Sequence, residues 1–176
     1  MPKLLTRVPL LLLSLTLMLL GACTTEPAEP AKPAFVRPTY DLVAAIHAAG
    51  DREQSVIAVN PLSDPGVSGL QDAARSDAQA GHYQAAAAKL DQAIQLSPNS
   101  PDLLQDRAEI AVRMKDYPLA EKLAHQSWSI GPKLGPLCAR NWQTVVEMRL
   151  QQDDPTGAAT ARKWVQQCHK AGQPRF

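Results

Sequence analysis

The residues of this 176-residue chain whose side chains could react or ligate are three cysteines, at 23, 138 and 168, and four histidines, at 47, 82, 125 and 169. A metal site on a helix needs such residues three or four apart, and no two of them have that spacing. Cys168 and His169 are adjacent, and adjacent side chains on a helix point apart. The sequence also lacks a phosphate-cradling glycine loop, a GxSxG elbow, an HExxH pair and an SxxK nucleophile. Asp153 and Asp154 precede Pro155 and read as a solvated turn, without the spacing of a calcium loop. Catalysis, a metal, a cofactor and a small-molecule substrate therefore have no motif behind them. The formal net charge of +1 offers no basic footprint for nucleic acid either.

The chemistry the sequence does offer lies at its start. Lys3 and Arg7 precede an apolar run from Val8 to Leu20, the order of parts of a secretion signal. The run is short for a membrane span, which takes about 20 residues. Leu20-Gly21-Ala22-Cys23 follows, and this tetrapeptide resembles the lipobox of bacterial lipoproteins. The resemblance implies cleavage before Cys23, a diacylglycerol on its sulfur and a third acyl chain on the freed amine. A covalent lipid on Cys23 is then the only non-protein group expected, and it anchors the chain to a membrane. Removing residues 1–22 takes away two positive charges and leaves a formal −1. Thr24 follows the cysteine, and not the aspartate that resembles an inner-membrane retention signal in enterobacteria, so the resemblance implies the periplasmic face of the outer membrane.

Residues 23–39 hold prolines at 27, 30, 33 and 38 and read as a linker. In polyproline II form it reaches roughly 50 Å at about 3.1 Å per residue. Residues 40–66 come next. Leu42, Val43 and Ile46 share one face of a short helix, with Thr39 as its N-cap and Gly50 as its stop, and the run Ser55–Pro65 reads as extended, capping the following domain or touching a partner.

From Val67 the chain repeats with a period of 34 residues, set by Pro98 and Pro132. Gly81, Tyr83, Ala86, Leu90, Ala93, Ile94 and Leu96 mark the first unit, and Ala108, Tyr117, Ala120, Ala124, Trp128 and Ile130 fall at equivalent spacings in the second. Small residues at Ala74, Ala86, Ala93, Ala108 and Ala120 are what helices need where they approach within about 8–10 Å. This pattern resembles the tetratricopeptide repeat (TPR) family. The resemblance implies an all-α solenoid of about three helix pairs over 67–171, with units at 67–100, 101–134 and 135–171. The third unit departs from the family pattern: Trp142 stands near a small-residue position, and the turn from Gln151 to Thr156 reads as longer than the family's. Terminal units of solenoids are commonly atypical.

With Cys23 acylated, two cysteines stay in an oxidising compartment. Cys138 and Cys168 lie symmetrically about the turn at Asp153, so an antiparallel helix pair sets them face to face. A disulfide between them is expected, the alternative being two buried thiols.

In the TPR family the first helices of successive units line a concave groove that takes a partner's peptide or helix. Carried onto this chain, the groove positions are Gln71, Arg75 and Gln79 in the first unit. They are Gln105, Glu109, Val112 and Arg113 in the second, and Arg140, Gln143 and Glu147 in the third. The alternative for each is a solvated polar helix face. The order lipobox, proline-rich linker, small TPR domain is similar to that of the lipoprotein activators of bifunctional (class A) penicillin-binding proteins. It implies an outer-membrane lipoprotein that acts on peptidoglycan synthesis through an envelope-protein partner. Assembly of a pilus or secretin, for which the chain has few repeats, and a structural role at the wall are the other readings.

Overall fold

A computed structural model describes residues 35–53 and 64–169. Cys23, the signal peptide, most of the linker and most of the segment Ser55–Pro65 lie outside the described residues. The described residues form seven α-helices: α1 Leu42–Asp51, α2 Pro65–Gln79, α3 Tyr83–Leu96, α4 Pro101–Arg113, α5 Tyr117–Ile130, α6 Pro136–Gln151 and α7 Pro155–Gln167. The fold is all-α, and α2/α3, α4/α5 and α6/α7 pack as successive helix pairs.

Starts and stops are written in local chemistry. Proline stands at the first or second helical position of α2, α4, α5, α6 and α7, where its missing N–H costs nothing. Asp64, Asp116 and Asp154 cap α2, α5 and α7 through their carboxylates. The cap of α1 is Asp41, whose side chain accepts from the Ala44 amide, and not Thr39. Gly50, expected to stop that helix, lies inside it and is buried. It serves a close approach instead, since a Cβ there would meet Arg140 Cγ at 2.9 Å.

The turns within the three pairs are copies of one another. Gly81, Lys115 and Asp153 all take positive φ, at 81°, 63° and 59°. In each turn the next residue's amide reaches back to the helix: His82 to Asp77 O at 2.8 Å, Asp116 to Ala111 O at 2.9 Å, and Asp154 to Arg149 O at 2.9 Å. This is the Schellman closure of a helix end. The third turn is therefore no longer than the others, contrary to the sequence expectation. The extra residues of the third unit lie in α6, which has 16 residues against 13 in α4, and in the connection before it.

The core is continuous because each cluster is shared by neighbouring pairs. Val67, Ala74, Ala86, Ala87, Leu90 and Ala93 of the first pair close on Leu103 and Ile110 of α4. Ala108 and Ala124 pack with Trp142, Val145, Val146, Ala158 and Ala161 of the third. Alanine is required at these contacts because it lets backbones approach. Trp142 of α6 is stacked on Trp164 at 5.2 Å and edge-on to Trp128 at 5.3 Å. Cys138 and Cys168 are joined by a disulfide with Cα atoms 5.6 Å apart, both buried in the same cluster, tying the start of α6 to the end of α7.

Candidate functional site

The face on which the groove positions lie is built by α2, α4 and α6, the first helices of the three pairs. Much of it is occupied by α1, which lies against α6 and α4. The reason is apolar: Ile46 is fully buried and packs with Ala111, Val112, Ala120 and Met148, with Leu42 and Val43 beside it. One turn further on the same face Ala49 and Gly50 are buried, so α1 sits close on the N-terminal end of α6.

Beneath and beside α1 runs a chain of polar residues. Glu109, on α4, is buried and receives Arg140 Nη2 at 2.7 Å, Gln105 Nε2 at 2.9 Å and the His47 ring at 2.7 Å. Burial alone would raise its carboxyl, but the His47 hydrogen bond and the Arg140 charge outweigh that and hold it below the usual carboxylate range. Arg140 also donates to Asp106 at 3.0 Å, and its guanidinium is held above its ordinary value, the two carboxylates overcoming the effect of burial. Gln105 donates to Thr144 at 2.9 Å, and Thr144 in turn donates to the Arg140 carbonyl.

A second carboxylate, Glu147 on α6, accepts from Tyr40 at 2.8 Å and from Gln143 at 2.7 Å. Burial pushes its carboxyl up in spite of those bonds. Burial and the bond to Glu147 push the Tyr40 phenol up to about 12. At the helix start Asp41 meets Arg113 at 2.9 Å, where the Ala44 amide and then Arg113 hold its carboxyl low. Arg37 pairs with Asp153 in the third turn, and the Pro38 carbonyl accepts from Gln151 at 3.0 Å.

The groove positions read from the sequence therefore have three fates. Gln105, Glu109, Val112 and Glu147 are buried rather than solvated. Arg113 is exposed and Arg140 and Gln143 are partly exposed, and they are engaged with Asp41, with Glu109 and Asp106, and with Glu147. In the first unit Gln71 donates to Asp106 at 2.7 Å, Arg75 pairs with Asp72 at 2.7 Å on its own helix, and Gln79 is exposed. The residues that sequence reasoning missed are Tyr40, Asp41 and His47, which engage the groove from outside the repeats, and Arg37, which pairs with Asp153 in the third turn. Their partners are more than 60 residues away, and no spacing in the sequence encodes that. Among the described residues no group of three metal-ligating side chains comes together. No described helix is long and apolar enough to cross a membrane.

The model of the tetratricopeptide repeat family matches residues 77–136, from the last turn of α2 to the start of α6. Among solved structures the globular C-terminal domain of LpoP from P. aeruginosa matches with a TM-score of 0.57 and 28% identity, over 60% of this chain and 99% of that one. No curated protein matches by sequence. Residues 77–136 thus match the tetratricopeptide repeat model, and 60% of the chain is similar to the LpoP domain.

Proposed function

We propose that this chain is a protein-interaction lipoprotein, held by lipid on Cys23 at the periplasmic face of the outer membrane, that activates a bifunctional penicillin-binding protein in peptidoglycan synthesis. The observation that carries the reading is the likeness to the LpoP domain, which extends over 99% of that domain's chain. Solenoids of helix pairs act by presenting a surface to another protein, and the polar chemistry described above is that of recognition. Glu109 and Asp106 are both locked in ion pairs with Arg140. The lipobox ending at Cys23 and the proline-rich linker support a surface held away from the membrane, toward the wall and its synthases.

The test combines address and activity. Metabolic palmitate labelling is expected for the chain and lost in Cys23→Ser. Adding the purified soluble domain to a class A synthase from the same organism is expected to raise glycan polymerisation and to give saturable binding. Labelling without binding or stimulation would leave a lipoprotein with a different partner. Recovery of a secretin or of bare peptidoglycan from solubilised envelopes, in place of a synthase, would identify the assembly or wall-associated role.

A further inference from the structure

The helix lying in the groove belongs to none of the three pairs. It enters the contact with a small apolar face, burying Ile46, Ala49 and Gly50; α2, α5 and α7 bury no more residues than that, but each of them is held by the partner helix of its pair, which α1 lacks. The two ion pairs that fasten its N-terminal end are half-open to water: the Asp41 and Arg113 side chains are 46% and 35% exposed, and those of Arg37 and Asp153, just before it, more so. Pairs of that kind hold weakly.

The floor below α1 is complete without it. If α1 lifts away, Glu109 keeps Arg140 and Gln105, Arg140 keeps Asp106, and Glu147 keeps Gln143. No buried charge is stranded, which removes the largest cost of exposing such a surface. A helix outside the repeat pairs, with exposed latches and a floor that keeps its own partners, belongs to the part of a fold that opens first.

The geometry points to α1 as a detachable internal ligand that occupies the repeat groove and excludes a partner helix until it is displaced. The displacing helix carries the chemistry of α1 itself: small residues where Ala49 and Gly50 meet α6, a branched apolar residue in the place of Ile46, an acidic cap for Arg113 and a cation for Glu109. The inference rests on the reading of the groove as the partner's site and adds its regulation.

The experiment needs no synthase, so its failure is separate from any failure to activate one. A fluorescent peptide of residues 37–53 is titrated into the soluble domain and into the double variant Asp41→Lys, Gly50→Leu. The variant leaves every groove residue intact but removes the Arg113 latch and drives a side chain into Arg140. Tethered α1 competes at an effective concentration in the millimolar range, so the intact domain is expected to bind the peptide weakly. The variant is expected to bind it at least tenfold more tightly, with amide exchange in α1 accelerated and α2–α7 unchanged. Equal or undetectable binding to both proteins would overturn the proposal. So would loss of the helical repeat fold in the double variant and in Asp41→Lys alone, because α1 would then be part of the core.

Discussion

His47 on α1 and Glu109 on α4 share a 2.7 Å hydrogen bond in which the imidazole side chain is 53% exposed and the carboxylate side chain 8%. The bond favours the imidazolium: the Glu109 hydrogen bond raises the His47 pKa above its ordinary value against a smaller opposing effect of burial. A histidine whose pKa is raised in the folded state contributes stability that is fully present below its unfolded value of about 6.5. That stability fades as pH rises through the folded value. Glu109, held low, contributes above the unfolded carboxylate value of about 4.3 and fails only on further acidification. The two windows overlap between about pH 4.5 and 6.5, where the pair holds α1 best.

His47→Ala is accordingly expected to lower the stability of the soluble domain most near pH 5.5, by no more than about 1 kcal/mol because the imidazole is half in water. At pH 8.5 the difference between the variant and the parent shrinks. Urea midpoints at the two pH values decide it, and a difference that is the same at both would show that the imidazole acts through packing and not through its charge.

The repeats could be read from the sequence because their causes are local and periodic. Alanines at 74, 86, 93, 108 and 120 recur where helices touch, and prolines mark helix starts and ends, so the residue pattern alone delimits the pairs. Cys138 and Cys168 could be paired for the same reason, since a hairpin relates positions symmetric about its turn. The occupancy of the groove could not be read this way. Glu109 and Glu147 look like any exposed helix carboxylate, and what buries them is a segment more than 60 residues earlier, outside the repeat and without its period. Asp41 illustrates the same limit at the scale of one turn. Thr39 and Asp41 both satisfy the chemistry of an N-cap, and the choice falls to Asp41 because Tyr40 and Pro38 are held by Glu147 and Gln151.

The disulfide between Cys138 and Cys168 spans 30 residues and closes the last helix pair on itself. A loop of that length is expected to contribute roughly 3–4 kcal/mol, by restricting the unfolded chain. It sits in one cluster with Trp142, beside Trp128 and Trp164, so loss of the bond should be visible in tryptophan fluorescence. Reduction, or the double variant Cys138→Ser, Cys168→Ser, is expected to lower the melting temperature by roughly 10 °C at the usual few degrees per kcal/mol. An unchanged melt after complete reduction would mean that tryptophan packing alone closes the unit.

The three turns allow a paired test in which the chain supplies its own control. Gly81 and Lys115 occupy the same position of the same closure, both with positive φ and both amides bonded back to the helix, Gly81 to Ala78 O at 3.1 Å and Lys115 to Val112 O at 3.0 Å. An L-residue in that conformation carries a cost of about 1–2 kcal/mol that glycine avoids. Glycine gives back part of this through its greater freedom in the unfolded chain, roughly 0.5–1 kcal/mol. Lys115→Gly is therefore expected to stabilise the domain by about 0.5 kcal/mol, and Gly81→Ala to destabilise it by a similar or larger amount. No atom lies within 4 Å of a Cβ built at Gly81, so the loss there is conformational and not a clash. Thermal melts of the two variants should shift in opposite directions from the parent. If Lys115→Gly melts lower, the lysine side chain makes a contribution larger than the backbone strain it bears, and the equivalence of the two turns would be geometric without being energetic.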